Sequence, residues 1–551
     1  MLLDGKQIGT MPAGTTAETV LQKFYPDRSD MVVAANIDQE IHDLQNPVDA
    51  CETLSFVELD SKEGWEVYRR SVIFLLITAV HELVPENEVK VDFSANRGLF
   101  LEVSGKTPLD AADVKEIEQK MKAIGREDRP IEKKFLPKEE AISLFKQAKA
   151  IEKANLINAL PMKTVSIYSC GGYYDYLYGA MVTHTGMLGK FALDFYAPGM
   201  LLRTPSLDSN GEVPEAIAQP KLSHILGEAK RWADILHCDY VTDLNRLNRQ
   251  GEIGDIIRVS EGLQEKKIAE IADHIAAGRD KLRLVLIAGP SSSGKTSFAQ
   301  RLRIQLRVNG LEPVSLSLDN FFRNREDTPR TPEGAYDFET LEALDVPLFN
   351  DILVKLLAGE EVSLPYYNFL TGMREWGKIP PLSVAENQPI IIEGIHGLNE
   401  KLTASIPRVN KYKIYVSALT QLNIDAHNRI PTTGARLIRR LVRDYQFRGS
   451  AALKTLRQWP DVRRGEEKNI FPFQEEADVM FNSALIYELG VLKKYAKPLL
   501  ERVPREAEAE HILARKLLDF CQYFDDIEAE DEIPNNSLLR EFIGKSVFFK
   551  G

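Results

Sequence analysis

A chain of 551 residues has room for roughly three to four domains, which excludes a single-core reading. Hydrophobic residues at 44% and charged residues at 27% exclude a disordered or fibrous class, and a net charge of −12 excludes a surface dominated by attraction to duplex phosphates, although a local basic patch is still allowed. Four cysteines, Cys51, Cys170, Cys238 and Cys521, lie far apart without a CxxC pair and fit neither a disulfide framework nor a zinc ribbon.

The first sixty residues read as short strands and one helix, with turn signals at Asp4-Gly5 and Asn46-Pro47. This predicts a small α+β module over 1–60. From Trp65 a helical pattern runs through Leu83 and stops at Pro85. Its apolar centre, SVIFLLITAV over 71–80, is about half the length of a bilayer span. The first thirty residues lack a basic segment followed by an apolar block, so we expect a cytoplasmic protein with no membrane partner. Extended segments (VKVDF, LFLEV), a charged helix near 110–124, a polar helical stretch over 138–154 and aromatic strand-like runs complete a second α+β domain over 61–205. A Pro-, Ser- and Gly-rich stretch near 204–220 opens a helical linker over 206–279. From residue 280 the pattern becomes strands alternating with amphipathic helices up to about 485, the signature of a parallel sheet wrapped by helices. A helical extension over 486–551, acidic in its middle, shows no chemistry of its own.

The strongest motif follows the apolar run KLRLVLIA: Gly289, Pro290, Ser291, Ser292, Ser293, Gly294, Lys295 and Thr296, with Ser297 opening a helical pattern through Val308. It satisfies GxxxxGK followed by Ser or Thr. Glycines let such a loop wrap backbone N–H groups around a phosphate, and the helix N-terminus adds its positive dipole end. The ammonium of Lys295 would bridge β- and γ-phosphate oxygens, and the Thr296 hydroxyl would ligate Mg²⁺. Binding of a nucleoside triphosphate, ATP, is the expectation. Two later apolar runs end in an acid, PVSLSLD at Asp319 and PIIIE at Glu393. In a parallel sheet both acids reach the ligand crevice. Asp319 is the candidate base for an attacking hydroxyl and Glu393 the candidate magnesium carboxylate. The block RLIRRLVRDYQFRG sets Arg436, Arg440 and Arg443 on one helical stripe, with Arg439 one turn before Arg443. Stacked cations need anionic partners, either neighbouring acids or a transferred phosphate.

These segments, in order GPSSSGKTSFAQRL, SLDNFF, DFETLEALD, LPYYNFLTGMR, IIIEGIHGL and the arginine block, resemble the uridine kinase branch of the uridine kinase and phosphoribulokinase family. The resemblance implies an α/β P-loop kinase domain that uses ATP and Mg²⁺ to phosphorylate a nucleoside 5′-hydroxyl. It implies Asp319 as base, Thr296 and Glu393 at the metal, and Arg439 and Arg443 as lid arginines. It also implies a substrate site at Glu339, Tyr367, Phe369 and Arg374. Where that family has its base-reading His and an Asp, this chain has Gly372 and Asn368, which removes the imidazole from pyrimidine recognition.

The front of the chain resembles a TGS domain of β-grasp type over 1–60, followed by the editing half of threonyl-tRNA synthetase on the segments YRRSVIFLLITAVHELVP and YYDYLYGAMVTHTG. The positions of that family's two helix histidines read Arg70 and Phe74, and those of its Cys and later His read Leu177 and Met181. Apolar side chains cannot replace imidazole or thiolate ligands, so this half reads as a scaffold or binding platform, with His81 and His184 left nearby. Three functions stay open: a nucleoside kinase, a kinase for another small hydroxylated acceptor such as a phosphopentose, and an RNA- or tRNA-binding protein with a regulatory nucleotide site. A homo-oligomer is allowed.

Overall fold

The computed structural model describes all residues except Ile8, 106–108, Pro332, Glu333, Ala335, Phe369, Lys550 and Gly551. Residues 2–58 form a five-stranded sheet in which Leu2–Leu3 pairs in parallel with Thr53–Glu58, each flanked by antiparallel neighbours. The helix Ala17–Phe24 covers it. Thr16 caps that helix by accepting the Thr19 N–H at 3.2 Å, and Val20 and Leu21 are buried with Val32, Ala35 and Leu54. This is the grasp arrangement expected of the segment.

The apolar run over 71–80 lies inside the helix Lys62–Leu83, which starts at Ser61 accepting the Gly64 N–H at 2.9 Å. The run is hydrophobic all round because protein covers it all round. It shares one core with the four-stranded antiparallel sheet (Glu88–Ala95, Gly98–Ser104, Ala192–Tyr196, Gly199–Arg203) and with the three-stranded sheet built on Thr164–Cys170. Its two hydroxyls stay satisfied: Ser71 donates to Val67 O at 2.9 Å and Thr78 to Phe74 O at 2.8 Å. Among the described residues no helix is long and apolar enough to cross a membrane. The polar stretch expected as one helix over 138–154 is instead two helices, Lys138–Gln147 and Ile151–Ala159. Lys149 takes a left-handed conformation, φ +62°, and the Ala150 N–H closes back on Phe145 O at 2.9 Å.

Helices Pro220–Leu236, Val241–Arg249 and Ile253–Ala277 lead into the last sheet. That sheet has five parallel strands in the order Val314–Ser317, Ile390–Glu393, Leu284–Ala288, Lys411–Ser417, Val479–Asn482. Helices cover both faces, which is why its central strands carry unbroken apolar runs. Phe298, Leu302, Ile271 and Ile275 pack on one face, and Phe349, Ile352 and Leu353 on the other. The loop after Lys411–Ser417 is held by the front half of the chain. Val91 donates its N–H to Ala426 O at 2.8 Å, Asn423 donates to Val91 O at 2.9 Å, and His427 pairs with Asp175 at 2.7 Å. Helices Glu488–Leu500, Glu508–Cys521 and Arg540–Ile543 close the chain.

Candidate active site

The crevice sits at the carboxyl ends of three adjacent parallel strands. Leu284–Ala288 is buried throughout and releases the chain into Gly289, whose absent side chain matters: a Cβ there would stand 1.9 Å from Val416 O on the next strand. Ser292 at φ +58° and Gly294 at φ +80° turn the loop, and the helix Lys295–Val308 begins directly after. Lys295 curls its ammonium back over the loop, donating to Gly289 O at 2.9 Å and Pro290 O at 3.1 Å. Burial pushes that ammonium down from its usual range, and Glu393 is the largest influence opposing the shift.

Glu393 ends its strand in register with Ile287 on one side and Ser317 on the other. Thr296 donates its hydroxyl to both Glu393 oxygens at 3.4 Å, so the hydroxyl and the acid face the same space. Burial raises Glu393, with Lys295 opposing and Asp319 adding to the rise. Asp319 lies two residues beyond Ser317 in the short turn Leu318–Phe321, where its N–H is held by Ser317 Oγ at 3.3 Å. Crowding by the crevice walls raises its carboxyl above the usual range, and Lys295 is the largest opposing charge. The side chain still reaches water, which moderates that rise. Lys295 thus bears on the ionisation of both Asp319 and Glu393, and Asp319 on that of Glu393.

The residues present fit a polyphosphate and a divalent cation. Ser292 Oγ and Ser293 Oγ are buried, at 4% and 0% exposure, with no hydrogen-bond partner among the described residues. Buried hydroxyls left unpaired beside a Gly-rich turn and a lysine are donors awaiting an acceptor. Thr296 and Glu393 supply the oxygen donors that magnesium prefers.

Residues 284–486 match the model of the Phosphoribulokinase / Uridine kinase family. Over its N-terminal region the chain is 32% identical across 196 residues to the threonine–tRNA ligase of Rubrobacter xylanophilus, covering 36% of this chain and 30% of that protein. It is 30% identical across 181 residues to the ligase of Francisella tularensis subsp. novicida, covering 33% and 28%. The chain therefore spans less than a third of the length of the curated relatives it matches. A solved structure described as a possible uridine kinase from Bacillus stearothermophilus is 21% identical, with 39% of this chain and 98% of that chain covered at a TM-score of 0.27.

Within the domain that matches this family model the arginine block divides by contact. Arg439 is fully buried at 0% exposure, where it pairs with Glu488 and donates to Ser483 O at 2.8 Å and Ser292 O at 3.4 Å, so it braces the phosphate loop from behind. Arg436 does likewise, paired with Glu466 at 2.5 Å and donating to Ser291 O at 3.1 Å. Arg440 reaches the mouth of the loop, donating to Ser291 Oγ at 2.7 Å, and its charge is felt by Glu339. Arg443 pairs with Asp444 at 2.8 Å, and its charge is felt by Lys295. Arg440 lies on the helical stripe with Arg436 and Arg443, and that position is the sequence signal that marks it.

The substrate segment is less uniform. Glu339 is half-buried, its carboxyl raised chiefly by burial, and Gly465 gives it room: a Cβ there would lie 2.8 Å from Glu339 Cβ. Tyr367 is buried at 2% and tilts against Phe322 at 5.5 Å. Phe369 lies outside the described residues. Arg374 is committed to the fold, paired with Asp345 at 2.9 Å and donating to Phe322 O at 3.0 Å. Gly372, at φ +72°, lies against Arg325, whose Nε and Cζ would be 2.7 and 2.8 Å from a Cβ placed there.

In the front half three of the four editing positions share an apolar core, and the fourth, Arg70, is committed to a backbone carbonyl. Phe74, Leu177 and Met181 are buried in one core at 0%, 3% and 1% exposure, and Arg70 donates to Ala180 O at 2.5 Å. His81 lies tilted against Tyr173 at 4.8 Å, and His184 pairs with Asp128.

Proposed function

We propose that the protein is an ATP-dependent phosphotransferase acting on the hydroxyl of a small acceptor, with a nucleoside 5′-hydroxyl as the first candidate. One observation supports this above the others: Lys295, the Thr296–Glu393 pair and Asp319 converge at the ends of three neighbouring strands. Magnesium, when bound at Thr296 and Glu393, would neutralise charge on the phosphates. Lys295 would orient β- and γ-oxygens, leaving the two loop carbonyls it now caps. Asp319 would take the proton of the attacking hydroxyl, and its raised affinity for protons suits a base more than an ordinary surface aspartate would. Arg440 and Arg443 would steady charge on the transferred group.

A phosphopentose acceptor has one observation in its favour: the position that the resemblance assigns to a base-reading imidazole is Gly372, which offers a pyrimidine no side-chain contact. ATP consumption by the purified full chain, assayed with a panel of nucleosides and of pentose phosphates, tests both. Turnover appearing only with one class assigns the acceptor, and no acceptor-dependent turnover with either rejects the proposal. The relationship to threonine–tRNA ligases extends it to RNA contact by the front half, tested by tRNA affinity that falls steeply with salt.

A further inference from the structure

The closing segment, expected to carry no chemistry, reaches the phosphate loop. Glu541, in the helix Arg540–Ile543, accepts the Ser297 N–H at 3.2 Å and the Ser297 hydroxyl at 2.8 Å. Ser297 is the third residue of the phosphate-loop helix, and its N–H is one of the first-turn donors that have no partner inside a helix. In a phosphate-binding loop such donors point at ligand oxygens. The unpaired hydroxyls of Ser292 and Ser293 mark the same loop as built for an anion. An anion is therefore already in place at one end of the cradle, and this chain supplies it.

We propose that Glu541 is an intrinsic competitor for the nucleotide: its carboxylate occupies donors on the phosphate-loop helix that a bound polyphosphate would use, and it must swing aside for full engagement. The proposal rests on the nucleotide-binding reading of the loop. Two negative groups cannot share one N–H, and their repulsion adds to the competition at this range. The segment itself does not need to leave. Leu538, Leu539 and Phe542 are each at 0% exposure, Arg439 lies over the Phe542 ring at 5.0 Å, and a Cβ on Gly294 would meet Leu538 at 3.1 Å. Only the side chain of Glu541, presented from this buried platform, would have to move. Arg448 lies within reach of its field and keeps its own side chain 58% exposed, in contact with Asp444 at 3.8 Å, so a cation is at hand for the displaced carboxylate.

The test is equilibrium binding of ADP and of inorganic pyrophosphate to the full chain by calorimetry, for the natural protein, Glu541→Gln and Lys295→Ala, with a thermal melt of each. Glu541→Gln keeps the shape of the side chain and removes its charge. It is expected to bind both ligands about five- to tenfold more tightly, in line with a charge removed from a helix terminus, with its melting temperature within a few degrees of the natural protein's. If Lys295→Ala abolishes binding yet Glu541→Gln binds no more tightly than the natural protein, the competitor is refuted and the nucleotide site stands. If neither the natural protein nor Glu541→Gln binds, both readings fall. Binding by Glu541→Gln alone supports the competitor in its strongest form. Should Glu541→Gln not fold, Glu541→Asp, which draws the charge back by one methylene, is read in the same way.

Discussion

The crevice beside Lys295 and the apolar core of the front half started from comparably clear sequence segments, and the structure treats them oppositely. In the crevice, the polar groups proposed to carry chemistry sit at strand ends and loop turns, crowded enough to shift their ionisation. In the front half, three of the four positions expected to match an editing site are Phe74, Leu177 and Met181, packed shut, and the fourth, Arg70, is bound to Ala180 O. A fold survives the loss of its site when apolar side chains of suitable size take the vacated volume, because burial offsets what the polar network contributed. The front half also packs on the crevice-bearing domain, since Val91 and Asp175 hold the loop that precedes the arginine helix Thr432–Arg448.

The sharpest way to break that contrast is Lys295→Ala. Removing the cation that faces the phosphates should cut acceptor-dependent ATP turnover about a thousandfold or more, with little change in the melting temperature. Retained turnover would reduce the crevice to the same status as the front half. Next is Asp319→Asn, expected to lower turnover about a hundredfold or more with ATP affinity changed only slightly. Its pH dependence carries a sign. A base must be deprotonated, and the Asp319 carboxyl lies above its usual range, so kcat/KM should fall on acidification beginning at a higher pH than for an ordinary aspartate near about 3.9. A profile flat down to about pH 4 would remove Asp319 from the role. On the other side of the contrast, Phe74→Ala should cost about 3–5 kcal/mol in chemical denaturation, as a fully buried aromatic does, and leave any residual turnover per folded molecule unchanged.

What was readable in advance follows the physics of each signal. The phosphate loop, Asp319 and Glu393 were legible because a parallel sheet delivers strand ends to one edge, so an apolar run ending in an acid already places that acid. The division of the arginines was not legible. A helical stripe says which side chains share a face, yet Arg439 and Arg436 were sorted from Arg440 by Glu488 and Glu466, which arrive from distant helices. Glu541 was hidden for the same reason, being 244 residues from the Ser297 it contacts. The break at Lys149 depended on one positive φ at a residue type that rarely adopts it.

The smallest expected effect concerns Gly372, where restoring an imidazole is the obvious way to sharpen pyrimidine recognition. The geometry argues against a gain. Gly372 holds φ +72°, a conformation that costs any other residue about 1–2 kcal/mol, and a Cβ there would overlap Arg325, whose backbone N–H is bound to Gly372 O at 2.7 Å. Gly372→His should therefore lower the melting temperature by a few degrees and leave the ratio of kcat/KM between pyrimidine and purine nucleosides within about twofold of the natural protein's. Gly372→Ala separates the two causes, since it carries the backbone strain without the ring. If Gly372→His raised pyrimidine turnover severalfold while Gly372→Ala did not, the hairpin would be yielding enough to admit an imidazole, and the phosphopentose reading would lose its support.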